Sequence, residues 1–400
     1  MKPDSPQWPH GLPHVLLIGA GVVGRAIADA HAARNLPFCL ADQSEEAIRA
    51  AARAFDEAGY ATRDGSLAGG SPLPESLHAI TVGDPSSTDA TTAPIVIESI
   101  VERCEVKQEM FAALQAGLGE TAVLCSNTST LLIDEIAGRR LRSPGRVCGM
   151  HFFMPVHARA AVEVVAGKRS DDDAIQAVVD HAARLGKRAI RCQDGPGFIV
   201  NRMLSPYLNQ ALLLLCRGAS ERQIERAALA YGMPMSPLEL IDWIGAPTMY
   251  HAGKAFTSAF PQRIDPSPMV PALLKRKRLG RDSGGGLFDY DRGRRSQQLS
   301  DPTQQLIETY RTDRRAFSDG DVLLLLTIPM WIEATCLLKE GVADSMSTVD
   351  LAMAGGLGFT SDANWSEFFA ELGTERIDDA ISRWQSEFKS MRKPDDAQVA

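Results

Sequence analysis

Three glycines are the first residues in this chain whose types and spacing suggest chemistry. Gly19-Ala20-Gly21-Val22-Val23-Gly24 has the spacing GxGxxG and directly follows the apolar run Val15-Leu16-Leu17-Ile18. In a strand–turn–helix setting, Gly19 permits the tight turn, Gly21 lets a pyrophosphate approach the backbone, and Gly24 lets the helix pack closely on the strand. A helix starting there aims its free N–H groups and its positive end at the phosphates. A second apolar run ends at Asp42, about 20 residues on, where a carboxylate accepts hydrogen bonds from the adenosine ribose hydroxyls. That acid repels a 2′-phosphate, and Gln43 and Ser44 bring no arginine to hold one. The spacing predicts a dinucleotide site that takes NAD rather than NADP.

A nicotinamide cofactor accepts hydride, and hydride leaving a secondary alcohol requires a base for the hydroxyl proton. His151 is the candidate, because imidazole titrates near neutral pH. It stands at the end of the apolar run 147–150, and doubly wound sheets bind their ligands at such strand ends. Glu163 lies on the next apolar segment. From there its carboxylate can bond the other ring nitrogen, fix the tautomer and stabilise the imidazolium.

The elements that must position these residues follow from the hydrophobic pattern. Val15–Ile18, Phe38–Ala41, Ile95–Ile97, Ala122–Cys125 and Val147–Met150 read as strands, with helical segments Val22–Ala33, Glu45–Ala58 and Val106–Ala116 between them. This alternation implies parallel pairing with helical crossovers, hence an α/β doubly wound sheet of Rossmann type. Residues 61–93, rich in Gly, Pro, Ser and Thr, read as loop. Beyond residue 192 strand signals vanish, and helices are expected over Phe198–Gly218, Ser220–Tyr231, Val322–Glu340, Ser347–Ala354 and Asn364–Leu372. A charged linker up to Asp321 separates the two helical blocks.

The blocks resemble each other. Pro206, Ala211, Leu214 and Gly218 have counterparts in Pro329, Ala334, Leu337 and Gly341, and Glu225 and Asp350 fall in matching helices ending at Gly232 and Gly356. An internal duplication of two copies is expected, short of the number that makes a solenoid. The expected division is an NAD-binding domain over 1–192 and two all-α helical domains, 193–300 and 301–400.

Composition narrows the function classes. The chain of 400 residues carries 42 basic and 50 acidic side chains, a formal net charge of −8, which argues against a dedicated nucleic-acid binder. Its seven cysteines are scattered singly with no CxxC pair, so neither a disulfide framework nor a metal site is expected. Reduced thiols and a cytoplasmic location are the expectation. The longest apolar run, 322–332, is interrupted by Thr327 and Pro329 and is too short to span a bilayer. The N-terminus lacks the apolar core of a signal peptide.

Longer motifs carry a family resemblance. Ile95-Val96-Ile97-Glu98-Ser99-Ile100-Val101-Glu102 with Lys107 and Phe111, Ser126-Asn127-Thr128-Ser129, and Gly149-Met150-His151-Phe152-Phe153-Met154-Pro155 stand in order along the chain. Val162-Glu163-Val164-Val165, 194–202, Pro234–Asp242 and Leu279-Gly280-Arg281 with Ser283-Gly284 follow. Together they resemble the 3-hydroxyacyl-CoA dehydrogenase family over most of the chain up to about residue 290.

The resemblance implies NAD-dependent oxidation of an L-3-hydroxyacyl thioester to the 3-oxoacyl form. His151 and Glu163 would form the catalytic dyad, with Ser129 holding the reacting oxygen and Asn201 polarising it. Glu102 and Lys107 would contact the nicotinamide-side ribose and its surroundings. The block after residue 300 resembles the second helical repeat of multifunctional fatty-acid oxidation enzymes, without the hydratase domain that accompanies it there. A second repeat in cis could cover the face through which short family members pair. Any homodimer is therefore expected to be weaker than theirs, or differently built.

Three departures from the family pattern bear on the substrate. Met154 stands where the family usually has asparagine, and Asp282 where it usually has lysine. No lysine occurs between Lys2 and Lys107, and the stretch that meets the CoA nucleotide in relatives offers only Arg49, Arg53 and Arg63. The basic run Lys275-Arg276-Lys277-Arg278 reads as a solvated linker face. A 3-hydroxyacyl group on another carrier, a free β-hydroxy acid, or a catalytically silent NAD-binding relative are the alternatives.

Overall fold

The computed structural model describes residues 12–64, 73–87, 93–360 and 364–393. They fall into two compact units, divided in sequence between Phe198 and Ile199.

The first unit alternates strands and helices. It begins with β1 (Val15–Ile18), α1 (Val22–Ala32), β2 (Phe38–Asp42), α2 (Glu45–Glu57), β3 (Thr62–Asp64) and β4 (His78–Val82). There follow β5 (Ile95–Glu98), α3 (Cys104–Leu118), β6 (Val123–Ser126), α4 (Ile133–Ala137) and β7 (Val147–Phe152). It closes with β8 (Ala161–Ala166), α5 (Asp172–Arg184) and β9 (Arg188–Gln193). The nine strands form one sheet in the order β3-β4-β2-β1-β5-β6-β7-β8-β9. β2, β1, β5, β6 and β7 pair in parallel, and β1, β5 and β6 are buried along their whole length, as parallel strands covered on both faces must be. The chain steps from β1 outward to β2 and later returns to β5 on the other side. That reversal makes a switch-point crevice at the strand C-termini, where ligands bind in such sheets.

The expected loop over 61–93 is in part sheet. β4 pairs antiparallel with β2, and β3 pairs antiparallel with β4. Ile80 and Val82 are buried, and this short strand pattern is hidden among turn-forming residues. Residues 65–72 and 88–92 of the same stretch lie outside the described residues. β8 and β9, parallel to each other, complete the sheet beyond the strands read from sequence.

Two buried histidines lie between α1 and α5. The Nε2 atoms of His31 and His181 are 3.0 Å apart, and His31 Nδ1 lies 2.8 Å from the Ile27 carbonyl oxygen. The carbonyl can only accept, so His31 carries its proton on Nδ1, and His181 Nε2–H donates to His31 Nε2. Burial lowers the pKa of His31 to about 4, the Ile27 hydrogen bond opposes the shift, and the charges of Arg184 and Lys187 add to it. His181 is also pushed well down, by burial, then His31, then Arg184. The native pair is therefore neutral, whereas an unfolded histidine binds a proton near pH 6.5. Stability from the pair is present above that value and is lost as pH falls from 6.5 towards 4. The His31 shift alone should remove about 2 kcal/mol by pH 5. Urea denaturation at pH 7 and pH 5 should show this difference in wild type. It should be smaller in the double variant His31→Phe/His181→Leu.

The second unit is helical: α6 (Val200–Arg217), α7 (Glu221–Tyr231), α8 (Pro237–Ile244), α9 (Ala246–Ala259) and α10 (Met269–Lys275). A two-residue hairpin follows, β10 (Tyr290–Asp291) and β11 (Arg294–Arg295), so strands do not end at residue 192. Then come α11 (Asp301–Thr309), α12 (Asp319–Lys339), α13 (Met346–Ala352), α14 (Trp365–Leu372) and α15 (Thr374–Trp384). The expected linker before Asp321 thus contains α11, which starts at a Ser300 cap with Pro302 in its first turn, a recognisable helix start.

The described residues from Ile199 onward form one compact unit. Buried ion pairs from Arg202 of α6 to Glu333 and Glu340, on and just after α12, tie the two helical blocks together. The duplication is visible in α6 and α12, each with an internal proline. In the second copy α13 passes into a π-helical turn, Met353–Leu357, so Gly356 lies inside that turn and the reversal falls at Gly358. α12 is long and apolar enough to cross a membrane by length and composition, but two-thirds of its apolar window is buried within the protein.

Candidate active site

The glycine turn after β1 has the geometry its spacing predicts. Gly19 sits at φ +105°, and a Cβ there would lie 2.6 Å from the Ser99 carbonyl oxygen. A Cβ on Gly24 would lie 1.9 Å from the Gly19 carbonyl oxygen, whereas one on Gly21 would meet nothing within 4 Å. The first and third glycines are therefore required by the protein's own packing, and the second leaves open space at the start of α1. Asp42 closes the turn from the end of β2: its Oδ2 accepts from Ala20 N–H at 2.7 Å, and its Oδ1 accepts from Ser44 N–H at 2.7 Å. An open cradle at a helix N-terminus beside a strand-end acid fits a dinucleotide.

His151 and Glu163 meet across the antiparallel pair β7–β8, in which they are direct register partners. His151 Nδ1 and Glu163 Oε2 are 2.6 Å apart, and both residues are buried. A carboxylate accepts, so Nδ1 carries the hydrogen and Nε2 keeps its lone pair. The rings of Phe153 and Phe198 pack against the imidazole at centroid distances of 5.2 and 5.8 Å. The side-chain amide oxygen of Asn127 accepts from the Phe152 N–H at 2.8 Å, which ties the loop after β6 to the end of β7.

That loop is organised by charge. Glu102 accepts from Thr128 Oγ1 at 2.7 Å, from Thr130 Oγ1 at 2.8 Å, and from the N–H groups of Ser129 and Thr130 at 3.2 Å. Burial raises its pKa, but the Thr128 hydrogen bond, the Lys107 charge and the remaining donors outweigh that and leave it lowered. Ser129 is thus held through its backbone by Glu102.

Lys107 lies beside the same loop and pairs with two carboxylates. It is 1 % exposed, and its ammonium lies 2.6 Å from Glu98 Oε1 and 3.3 Å from Glu102 Oε2. Glu98 is fully buried and also accepts from Ser126 Oγ at 2.7 Å and Ile100 N–H at 2.7 Å. Lys107 therefore bridges the two carboxylates, offsetting one of their two charges, and supports the Ser126–Thr130 loop from below. Glu98 and Asn127 had no role in the sequence reading. Their signal was a polar residue ending, or directly following, an apolar strand.

Asn201 belongs to the second unit, in the first turn of α6, where its carbonyl accepts from Ser205 Oγ at 2.8 Å. Met154 is 44 % exposed, and Asp282 is exposed in the turn 281–283. The basic run 275–278 is no linker face throughout. Arg276 donates to the Pro302 carbonyl and the Gln305 side chain, and Arg278 donates to the carbonyls of Gly286 and Phe288 and pairs with Asp289.

Comparison with known proteins shows the family. The family model described as "3-hydroxyacyl-CoA dehydrogenase, NAD binding domain" matches residues 14–195, and that family's C-terminal domain matches 197–290. The fatty acid oxidation complex subunit alpha of Pseudomonas savastanoi pv. phaseolicola is 33% identical over 353 residues, covering 86% of this chain and 48% of that protein. The chain therefore spans about half the length of the curated relatives it matches.

Among solved structures, 3-hydroxybutyryl-CoA dehydrogenase from Escherichia coli matches with a TM-score of 0.73 and 25% identity, covering 96% of this chain and 97% of that one. The (S)-3-hydroxybutyryl-CoA dehydrogenase of Ralstonia eutropha matches with a TM-score of 0.56 and 29% identity, over 70% of this chain and 99% of that one. The glycine cradle and the cross-strand His–Glu pair lie within the first matched domain, and Asn201 within the second. By both of its matched domains, the chain belongs to the 3-hydroxyacyl-CoA dehydrogenase family.

Proposed function

We propose that this protein oxidises an L-3-hydroxyacyl-CoA to the 3-oxoacyl-CoA, with His151 as the general base. The observation that carries the reading is the 2.6 Å contact between His151 Nδ1 and Glu163 Oε2 at the strand ends. It leaves Nε2 as the proton acceptor for the substrate hydroxyl. Glu163 holds the ring in that tautomer and stabilises the imidazolium formed when the proton arrives. Bound NAD supplies the hydride acceptor; Gly19, Gly21 and Gly24 form its cradle, and Asp42 receives its ribose. Glu102 fixes the backbone of Ser129, whose hydroxyl holds the reacting oxygen, and the Asn201 amide polarises it. A cytosolic setting suits the seven free thiols.

The absence of lysine between Lys2 and Lys107 supports one second reading, the same oxidation on a different carrier or on a free 3-hydroxy acid. NADH formation with a panel of 3-hydroxyacyl-CoA esters, 3-hydroxyacyl pantetheine esters and free 3-hydroxy acids tests both. The first reading expects the CoA esters to show the highest kcat/KM. Equal values for CoA and pantetheine esters would favour the second. NADH binding without turnover of any substrate would overturn both.

A further inference from the structure

We propose that Glu333 and Glu340, contributed by the second helical repeat, are positioning residues for Asn201. They act through Arg202 and rest on the proposed role of Asn201. Arg202 follows Asn201 in the first turn of α6 and is completely buried. Its guanidinium pairs with Glu333 through Nε and Nη2, and with Glu340 through Nη1 at 2.6 Å. Arg263 pairs with the same two acids, at 3.4 Å from Glu333 and 2.6 Å from Glu340. Both guanidinium groups lie over the Phe260 ring, at 4.3 and 4.5 Å from its centroid. Two cations and two anions thus close a neutral, largely buried quartet, a geometry with little freedom to relax.

Two further observations connect this quartet with Asn201. Helix α6 starts at Ile199 with no side-chain cap bond, which is the usual local anchor of a first turn. Arg202 supplies a tertiary one, a single residue from Asn201. The duplication shows the same division of labour. With the offset set by Pro206 and Pro329, Asn201 and Arg202 correspond to Leu324 and Leu325, while Gln210 and Arg217 correspond to Glu333 and Glu340. The second copy carries neither polar residue of the first copy's opening turn. In their place it presents two acids that the first copy lacks, and both meet Arg202. The second repeat supports the first rather than providing a second site.

The test is a double-mutant cycle on the full chain with 3-hydroxybutyryl-CoA and NAD, run well below the thermal midpoint of every variant. Glu333→Gln and Glu340→Gln keep shape and hydrogen bonding but remove charge. Each is expected to lower kcat about ten- to a hundredfold, the scale of a small misplacement of a reacting group. NADH affinity, measured by fluorescence titration, should stay unchanged. In the Asn201→Ala background the same substitutions should lower kcat no further, because the group they position is gone.

Losses that multiply with Asn201→Ala would show a general structural effect and overturn the proposal, as would wild-type kcat in both glutamine variants. Should Glu333→Gln fail to fold, the more exposed Glu340→Gln carries the cycle. Wild-type kcat in Asn201→Ala would overturn the role of Asn201 itself, a failure distinct from that of its support.

Discussion

Replacing His151 by alanine is expected to lower kcat by about 10²–10⁴, the usual contribution of a positioned general base. NADH affinity should stay close to wild type, since the glycine cradle and Asp42 do not involve this ring. Glu163→Gln tests the second half of the pair. Its side chain is fully buried and 2.6 Å from Nδ1, so the amide must take the place of the carboxylate. If its NH2 faces the ring, Nδ1 must accept, and the proton moves to Nε2, which removes the base. If its oxygen faces the ring, the tautomer survives but the imidazolium loses its counter-charge. Either orientation should cost about 10²-fold or more in kcat. Steady-state assays with NADH release as readout check both variants; Glu163→Gln at wild-type kcat would remove the carboxylate from the mechanism.

The second large effect is expected at the glycines, where one methyl group has opposite meanings three residues apart. In Gly24→Ala the new carbon would lie 1.9 Å from the Gly19 carbonyl oxygen. Both partners are backbone, so α1 and the β1 turn must move apart. Overpacking of this kind costs about 1–3 kcal/mol. It also tilts the N–H groups that receive phosphate, each charged hydrogen bond being worth about 1.5–3 kcal/mol. A lower Tm and NADH affinity weakened by about tenfold or more should appear together. In Gly21→Ala the methyl meets no protein atom within 4 Å, so Tm should hold. The methyl then occupies space required by the pyrophosphate, and NADH affinity alone should fall. Thermal unfolding with and without NADH separates the two; a Gly21→Ala variant that binds normally would place the pyrophosphate elsewhere.

These contrasts also show what kind of information a sequence exposes. The glycine turn and Asp42 were legible because their chemistry is local, set by spacing along one βαβ run. His151 and Glu163 lie only twelve residues apart, and adjacent antiparallel strands bring them into register. Lys107 was harder to read. Nothing in a helical turn indicates that a lysine is sealed from water; its partner Glu98 ends the preceding strand, and only packing shows the two in contact. The quartet around Arg202 was beyond reach, since its acids stand 131 and 138 residues away. β4 was obscured for another reason. Its alternation is short and flanked by prolines and glycines, and composition over a window outweighed a five-residue pattern.

Asp42 has a consequence for how cofactor preference can change. In the proposed function its carboxylate does two jobs with the same two oxygens: it receives the ribose, and it accepts the Ala20 and Ser44 amides that shape the glycine turn. Recognition and scaffold are therefore not separable at this position. A substitution made to admit a phosphorylated ribose would also release two backbone donors. A lineage or an engineer moving this protein towards another dinucleotide must first rebuild the turn, so the path runs through at least one compensating change.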